Sequence, residues 1–282
     1  MRAVALMGAL LVAGCNSEKS MDDVANRLRS DLVYIAGGTF QPGNYVATID
    51  GAAREIGQTP ARPTQETAID GFYLAAHLPT VADYLTFREA TGRPAYDPDL
   101  PTEAAAPMPF HEAEAYCAWL GEITSLPVRL PTEAEWEFAA RNRGEAVAYG
   151  TDDGTWDPPR NVWMPPADAG LFPPPPPPGS LPPSPLGLHD LHGVWNQWVG
   201  DRGEDDAGDV RIAKGSAADE DGRMKPIPAR WAVPPTDRGI LAITPGIEPL
   251  FPDGEDAIHR GSASVRCAVA VSEPPSESGL GR

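Results

Sequence analysis

Hydrophobic positions along the chain fall into a few well-punctuated blocks, separated by long polar or proline-rich stretches. The clearest block is Arg129 to Arg141, RLPTEAEWEFAAR, where Trp136, Ala139 and Ala140 recur at i, i+3 and i+4 as one apolar helical stripe. Thr132 and Glu135 form a capping box: the hydroxyl accepts the amide three residues on, and the carboxylate reaches back to the cap amide. Glu133, Glu135 and Glu137 put negative charge where the helix dipole favours it. A helix is also expected over Phe110 to Leu120, with Phe110, Ala113, Tyr116, Cys117 and Leu120 on one face and Gly121 as its stop. Another is expected over Thr80 to Thr91, where Val81, Tyr84 and Leu85 keep helical spacing up to Gly92. Asp31 to Phe40 mixes β-branched and aromatic residues and turns at Gly37 and Gly38, so it reads as a strand, as does Asp70 to Ala75. Gln41 to Thr67 is poor in apolar residues and reads as a surface excursion. Beyond Arg143 the pattern predicts turns, short strands at most and isolated tryptophans, with Gly203 to Asp209 as a solvated acidic loop.

Composition sharpens this picture. The 28 glycines and 33 prolines argue for an irregular, loop-rich fold rather than a bundle or a doubly wound sheet. A length of 282 residues suffices for a full core. The net charge of -18 argues against nucleic acid as a partner and against anionic lipid headgroups. Pro173 to Pro178 is read as a loop inside one domain, not as a linker between two.

The beginning of the chain reads as an address. Arg2 precedes the apolar run Ala3 to Val12, which is too short for a permanent membrane span, and Val12, Ala13, Gly14 and Cys15 then form a lipobox. Residues 1–14 are expected to be a lipoprotein signal peptide and Cys15 the lipidated residue that ties a bacterial envelope protein to its membrane, with the domain outside the cytoplasm. Residues 15–30 read as a polar tether, 31–272 as the domain and 273–282 as a disordered tail. Two further cysteines remain, Cys117 and Cys267. Spacing leaves a disulfide between them open; the apolar helical setting of Cys117 favours an ordinary buried thiol.

The stretch from Arg129 to Arg141 closely resembles the central motif of the formylglycine-generating enzyme, or sulfatase-modifying factor, family. Ala113 to Gly121 (AEAYCAWLG) resembles the family's preceding helix, Gly37-Gly38-Thr39-Phe40 its opening turn, and Gly179 to Gly193 the segment before its Trp-rich motif. The resemblance runs from about Val33 to Arg266. It implies an α+β, C-type-lectin-like fold with short twisted strands, two packed helices and a large irregular loop content. Members of the family convert a substrate cysteine to formylglycine with molecular oxygen, using two late cysteines that bind copper, a soft monovalent ion that prefers thiolates. Here Lys214-Gly215-Ser216 resembles a degraded Arg-Gly-Gly-Ser-Trp and Val265-Arg266-Cys267 the final Gly-Phe-Arg, with no cysteine between them. Copper chemistry is therefore disfavoured, and no catalytic residue is carried over. Cys117 and Cys267 side by side at the mouth of an open groove would restore an enzymatic reading.

The family's Asp-Met-x-Gly-Asn-x-x-Glu-Trp motif, which organises a calcium ion, corresponds to Asp190 to Trp198, with Val194 at the Asn and Gln197 at the Glu. Calcium prefers charged oxygen ligands, so this place is expected to hold it weakly or not at all. The resemblance leaves a second calcium position at Asn161 with an acid such as Asp168. His189, Asp190 and His192 form an HDLH group with the donor types of a zinc or iron site, although two loop histidines more often meet solvent or backbone. Trp195, Trp198, Arg230, Trp231 and Arg266 fall where the family carries groove residues; the tryptophans read equally as core packing and the arginines as buried partners of carboxylates. Two functions follow: a noncatalytic envelope module binding a protein, peptide or glycan, and an oxidoreductase using a metal held by His189, His192 and Asp190 or by Cys267.

Overall fold

The computed structural model describes residues 20–49, 51–57, 65–97, 99–165, 174–205, 208–215, 227, 231–233 and 263–271. The signal peptide, Cys15, Asp168, Arg230, Ser216 and the tail 273–282 lie outside them. In chain order the elements begin with α1 (20–31), β1 (Leu32–Ile35), β2 (Gly38–Phe40), β3 (Tyr45–Ile49), β4 (Ala52–Ile56), β5 (Thr67–Ile69) and β6 (Phe72–Ala75). They continue with α2 (Val81–Ala90), α3 (Phe110–Thr124), β7 (Val128–Arg129), α4 (Glu133–Ala140), β8 (Gln197–Asp205), β9 (Gly208–Lys214), β10 (Trp231–Val233), β11 (Ser264–Val265) and β12 (Ala268–Ala270).

One four-stranded sheet has the order β1-β6-β12-β7 and is antiparallel throughout. The other runs β10-β9-β8-β11, antiparallel except for β11, which lies parallel to β8. The last strand, β12, thus sits between β6 and β7, with Ala268 opposite both Leu74 and Arg129. Strands from before and after the proline run thus share one sheet, and Pro175 is itself buried.

Local signals with local partners are realised as expected. Thr80 and Asp83 close a capping box on α2, and Thr132 and Glu135 close one on α4. Trp136, Ala139 and Ala140 are buried among Ile35, Phe72, Leu74 and Ile212 in the core under α4. A second core joins α2 and α3 through Tyr84, Phe87, Tyr116, Trp119 and Trp198.

Several expectations are corrected. Besides the three helices the pattern predicts, residues 20–31, nearly all of them read as tether, form α1, which buries Val24, Ala25 and Leu28. Gly121 does not stop α3; the helix runs on to Thr124 and ends at Ser125, whose φ of 56° is left-handed. A Cβ on Gly121 would lie 3.1 Å from the Leu126 carbonyl, so the glycine admits the returning backbone instead. The excursion after Gln41 contains the β3–β4 hairpin, and the acidic stretch Gly203 to Asp209 closes the β8–β9 hairpin, the longest strands among the described residues.

Candidate functional site

Gln197, at the start of β8 and fully buried, is a hub for three segments. Its Oε1 accepts from Trp136 Nε1 at 2.9 Å and from Arg266 Nε at 3.2 Å, and its Nε2 donates to the Asp190 carbonyl at 2.7 Å. Arg266 is a buried clamp: its guanidinium also donates to the carbonyls of Ala75, Ala76 and His189. Burial pushes its pKa down to about 10, with Asp190 and Asp31 favouring the charged form. An amide at this position therefore meets an indole N–H and a guanidinium on the same oxygen, and this donor arrangement does not fit a calcium ligand. Val194, at the position of the family's Asn, packs with Leu78 and Ala105.

The HDLH group does not converge. His189 Nδ1 donates to the Leu181 carbonyl at 3.0 Å, and its ring stacks on His77 with centroids 4.3 Å apart. His192 instead accepts from Gly150 N at 3.1 Å and sits between Trp136 and Tyr149. Asp190, held at a φ of 56°, accepts from Gly179 N through Oδ2, while its buried Oδ1 meets no partner among the described residues. Among these residues no group of three or more His, Cys, Asp or Glu is placed to hold a metal. At the second calcium position Asn161 is engaged too: Oδ1 accepts from Asp157 N, Nδ2 donates to Asp152, Asp153 and the Thr155 carbonyl, and Arg160 bridges all three aspartates.

Burial raises the Asp190 carboxyl above its ordinary range, against the Gly179 N–H and the nearby Arg266, His189 and His77. A carboxyl with a raised folded pKa contributes its full stability below the unfolded value and loses it as pH rises through the folded one. Asp190→Asn, which tolerates the left-handed backbone, is therefore expected to gain stability over the wild type between about pH 4 and neutrality. Melting curves across that range check it; a constant difference would contradict the assignment.

Of the expected groove residues, Trp198 and Arg266 are buried and Trp195 is partly so. Trp198 is 2% exposed, stands edge-on to Phe110 and donates to the Met108 carbonyl at 2.8 Å. Trp195 donates to the Ala105 carbonyl at 3.0 Å, and Trp231 lies in β10 opposite Ala213. Lys214, fully buried at the place of the family's arginine, reaches Glu133 at 3.3 Å and Glu137 at 3.5 Å.

The sulfurs do meet. Cys117 and Cys267 form a disulfide spanning 150 residues, and both are buried in the α2–α3 core. This corrects the expectation of a free Cys117 thiol and satisfies part of the condition for an enzyme, since Cys267 lies on the wall of a cavity. The pair is closed, however, and the chain's remaining cysteine is Cys15. The donors of a copper site are therefore not in place.

That cavity, about 440 Å³, lies between α1, the start of α2, α3 and Pro177–Pro178. On its wall Asp31 accepts from His77 Nδ1 at 2.5 Å and from His77 N at 3.0 Å. Asp83 pairs with Arg27 and accepts from the Thr80 amide and hydroxyl. Sequence reasoning missed this site, because Asp31 was placed at the start of a strand and His77 stood alone after one. The available signal was the i, i+4 pair Val24 and Leu28, which marks a docked helix ending at Asp31.

The fold and the altered motif together define a degenerate domain of the formylglycine-generating-enzyme type. The family model for the sulfatase-modifying factor enzyme 1-like domain matches residues 18–240, and the chain belongs to that family. It is 34% identical over 118 residues to the inactive C-alpha-formylglycine-generating enzyme 2 of Bos taurus, covering 38% of this chain and 36% of the relative. Over 105 residues it is 34% identical to the formylglycine-generating enzyme of Streptomyces coelicolor, covering 34% of this chain and 29% of the relative. The matches thus span about a third of each relative's length. PvdO from Pseudomonas aeruginosa shares the fold, with a TM-score of 0.61 at 19% identity, over 85% of this chain and 94% of that one.

Proposed function

We propose that this protein is a lipid-anchored, noncatalytic module of the bacterial cell envelope, whose formylglycine-enzyme-like domain holds a protein, peptide or glycan partner. The observation that carries this reading is the Cys117–Cys267 disulfide: it consumes both cysteines outside the lipobox, so no thiolate pair remains for copper. The neutral, fully engaged Gln197 and a relative named inactive support it. The lipobox ending in Cys15 supports the anchor. One observation favours the alternative, an oxidoreductase with altered chemistry: reduction of the disulfide would expose the Cys267 thiol to the cavity.

The test is a pull-down from envelope extract with the full chain in detergent, beside metal analysis and oxygen uptake on the same sample. A bait starting at Ser30 would delete most of α1 and must be avoided. Saturable capture of one envelope component, with substoichiometric copper, iron and zinc and no oxygen uptake with thiols, is expected. Stoichiometric metal with thiol-dependent oxygen uptake overturns the reading. For the anchor, Cys15→Ser is expected to move the protein out of the membrane fraction; unchanged fractionation contradicts it.

A further inference from the structure

The cavity beside α1 sets a charged wall over an apolar floor. Three carboxylates, Asp31, Asp83 and Glu103, stand on its wall against Arg27 and His77, over an apolar floor that includes Leu28, Leu120 and Val265. Tyr116 also lines it. This residue is 4% exposed, its ring packs on Phe87 and Trp119, and its hydroxyl makes no hydrogen bond to any described residue. Asp83, Arg27 and Asp31 share the cavity wall with it. A buried polar group is ordinarily satisfied, so a tyrosine hydroxyl left open toward a cavity marks a place for a ligand atom.

We propose that this cavity binds an alkylammonium group on an apolar stem, namely the lysine side chain of a polypeptide. The acidic balance of the wall selects a cation. Each aspartate already has both oxygens in use, Asp31 by His77 and Asp83 by Arg27 and Thr80, which leaves single lone pairs rather than the free two-oxygen edge that a guanidinium fork needs. An ammonium is a compact charge with three independent donors. It satisfies the Tyr116 oxygen and one lone pair from each side, while the methylene stem lies on the apolar floor. The cavity is of a size that holds one side chain. The choice of a polypeptide as carrier rests on the proposed function; the ammonium site itself does not.

The experiment is calorimetric titration of the full chain in detergent with three probes: Nα-acetyl-lysine-N-methylamide, its norleucine counterpart and n-butylamine. The lysine probe is expected to saturate, with the norleucine probe about tenfold weaker or more, as loss of charge-assisted hydrogen bonds implies. Tyr116→Phe is expected to weaken the lysine probe about fivefold or more. It should leave the melting temperature unchanged, because the hydroxyl has no partner in the fold. Asp83→Asn should weaken it as well, and if that variant loses α2 through its cap, Tyr116→Phe still decides. Equal binding of lysine and norleucine probes, or no effect of Tyr116→Phe, overturns the site. Butylamine binding as tightly as the lysine probe overturns the polypeptide as source. Capture of an envelope partner without lysine binding would strike the cavity assignment alone, and lysine binding without a partner would strike the functional reading alone.

Discussion

Arg266→Met is expected to lower the melting temperature by roughly 10 °C or more, the largest effect of any single substitution considered. The methionine fills much of the volume but leaves the carbonyls of Ala75, Ala76 and His189 without the donor they now share, and it removes a cation that favours the charged form of the buried Asp190. Removing one partner from a buried charged arrangement costs about 3–5 kcal/mol, against about 5–15 kcal/mol for a whole domain. At about 2–4 °C per kcal/mol for a chain of this size, that is a visible collapse. Arg266→Lys should recover part of the loss, since one ammonium reaches some of the four acceptors. Melting of the two variants within about 2 °C of the wild type would show that Arg266 is not a structural clamp.

Loss of the disulfide comes second. Cys117→Ala with Cys267→Ala is expected to cost about 2–5 kcal/mol, because a cross-link closing a long loop removes many unfolded conformations. The 150-residue separation puts this pair at the long end. Wild-type protein unfolded and refolded with reductant present should melt with the double variant, well below the oxidised form. Coincident melting of oxidised and double-variant protein would mean that the surrounding aromatic core holds the sheet without the bond.

The parts of this fold that could be read from the sequence are those whose partners are close along the chain. The caps of α2 and α4 involve residues three apart, and the apolar stripe of α4 repeats within two turns. The β3–β4 hairpin, which was missed, is largely exposed. In β4 four of five residues are exposed, so Ala52 to Ile56 shows no alternation strong enough to announce a strand. Gly121 misleads for a related reason, since a glycine that admits a distant backbone looks like one that ends a helix. The candidate site was the least readable part. Asp31, His77 and Tyr116 line one cavity only because α1 docks, and none of them stands in the sequence as a candidate site residue. Conversely, Trp198 and Arg266, singled out by resemblance as groove residues, are buried and make their hydrogen bonds inside the fold.

The insertion of β12 between β6 and β7 has a bearing on biogenesis. A ribosome delivers the chain from its N-terminus, so the middle slot of that sheet stays empty until Ala268–Ala270 have emerged. Until then β6 and β7 each present an unpaired edge, and Cys117 waits for Cys267. Maturation is therefore a late, all-at-once event, which must take place where an oxidant is at hand.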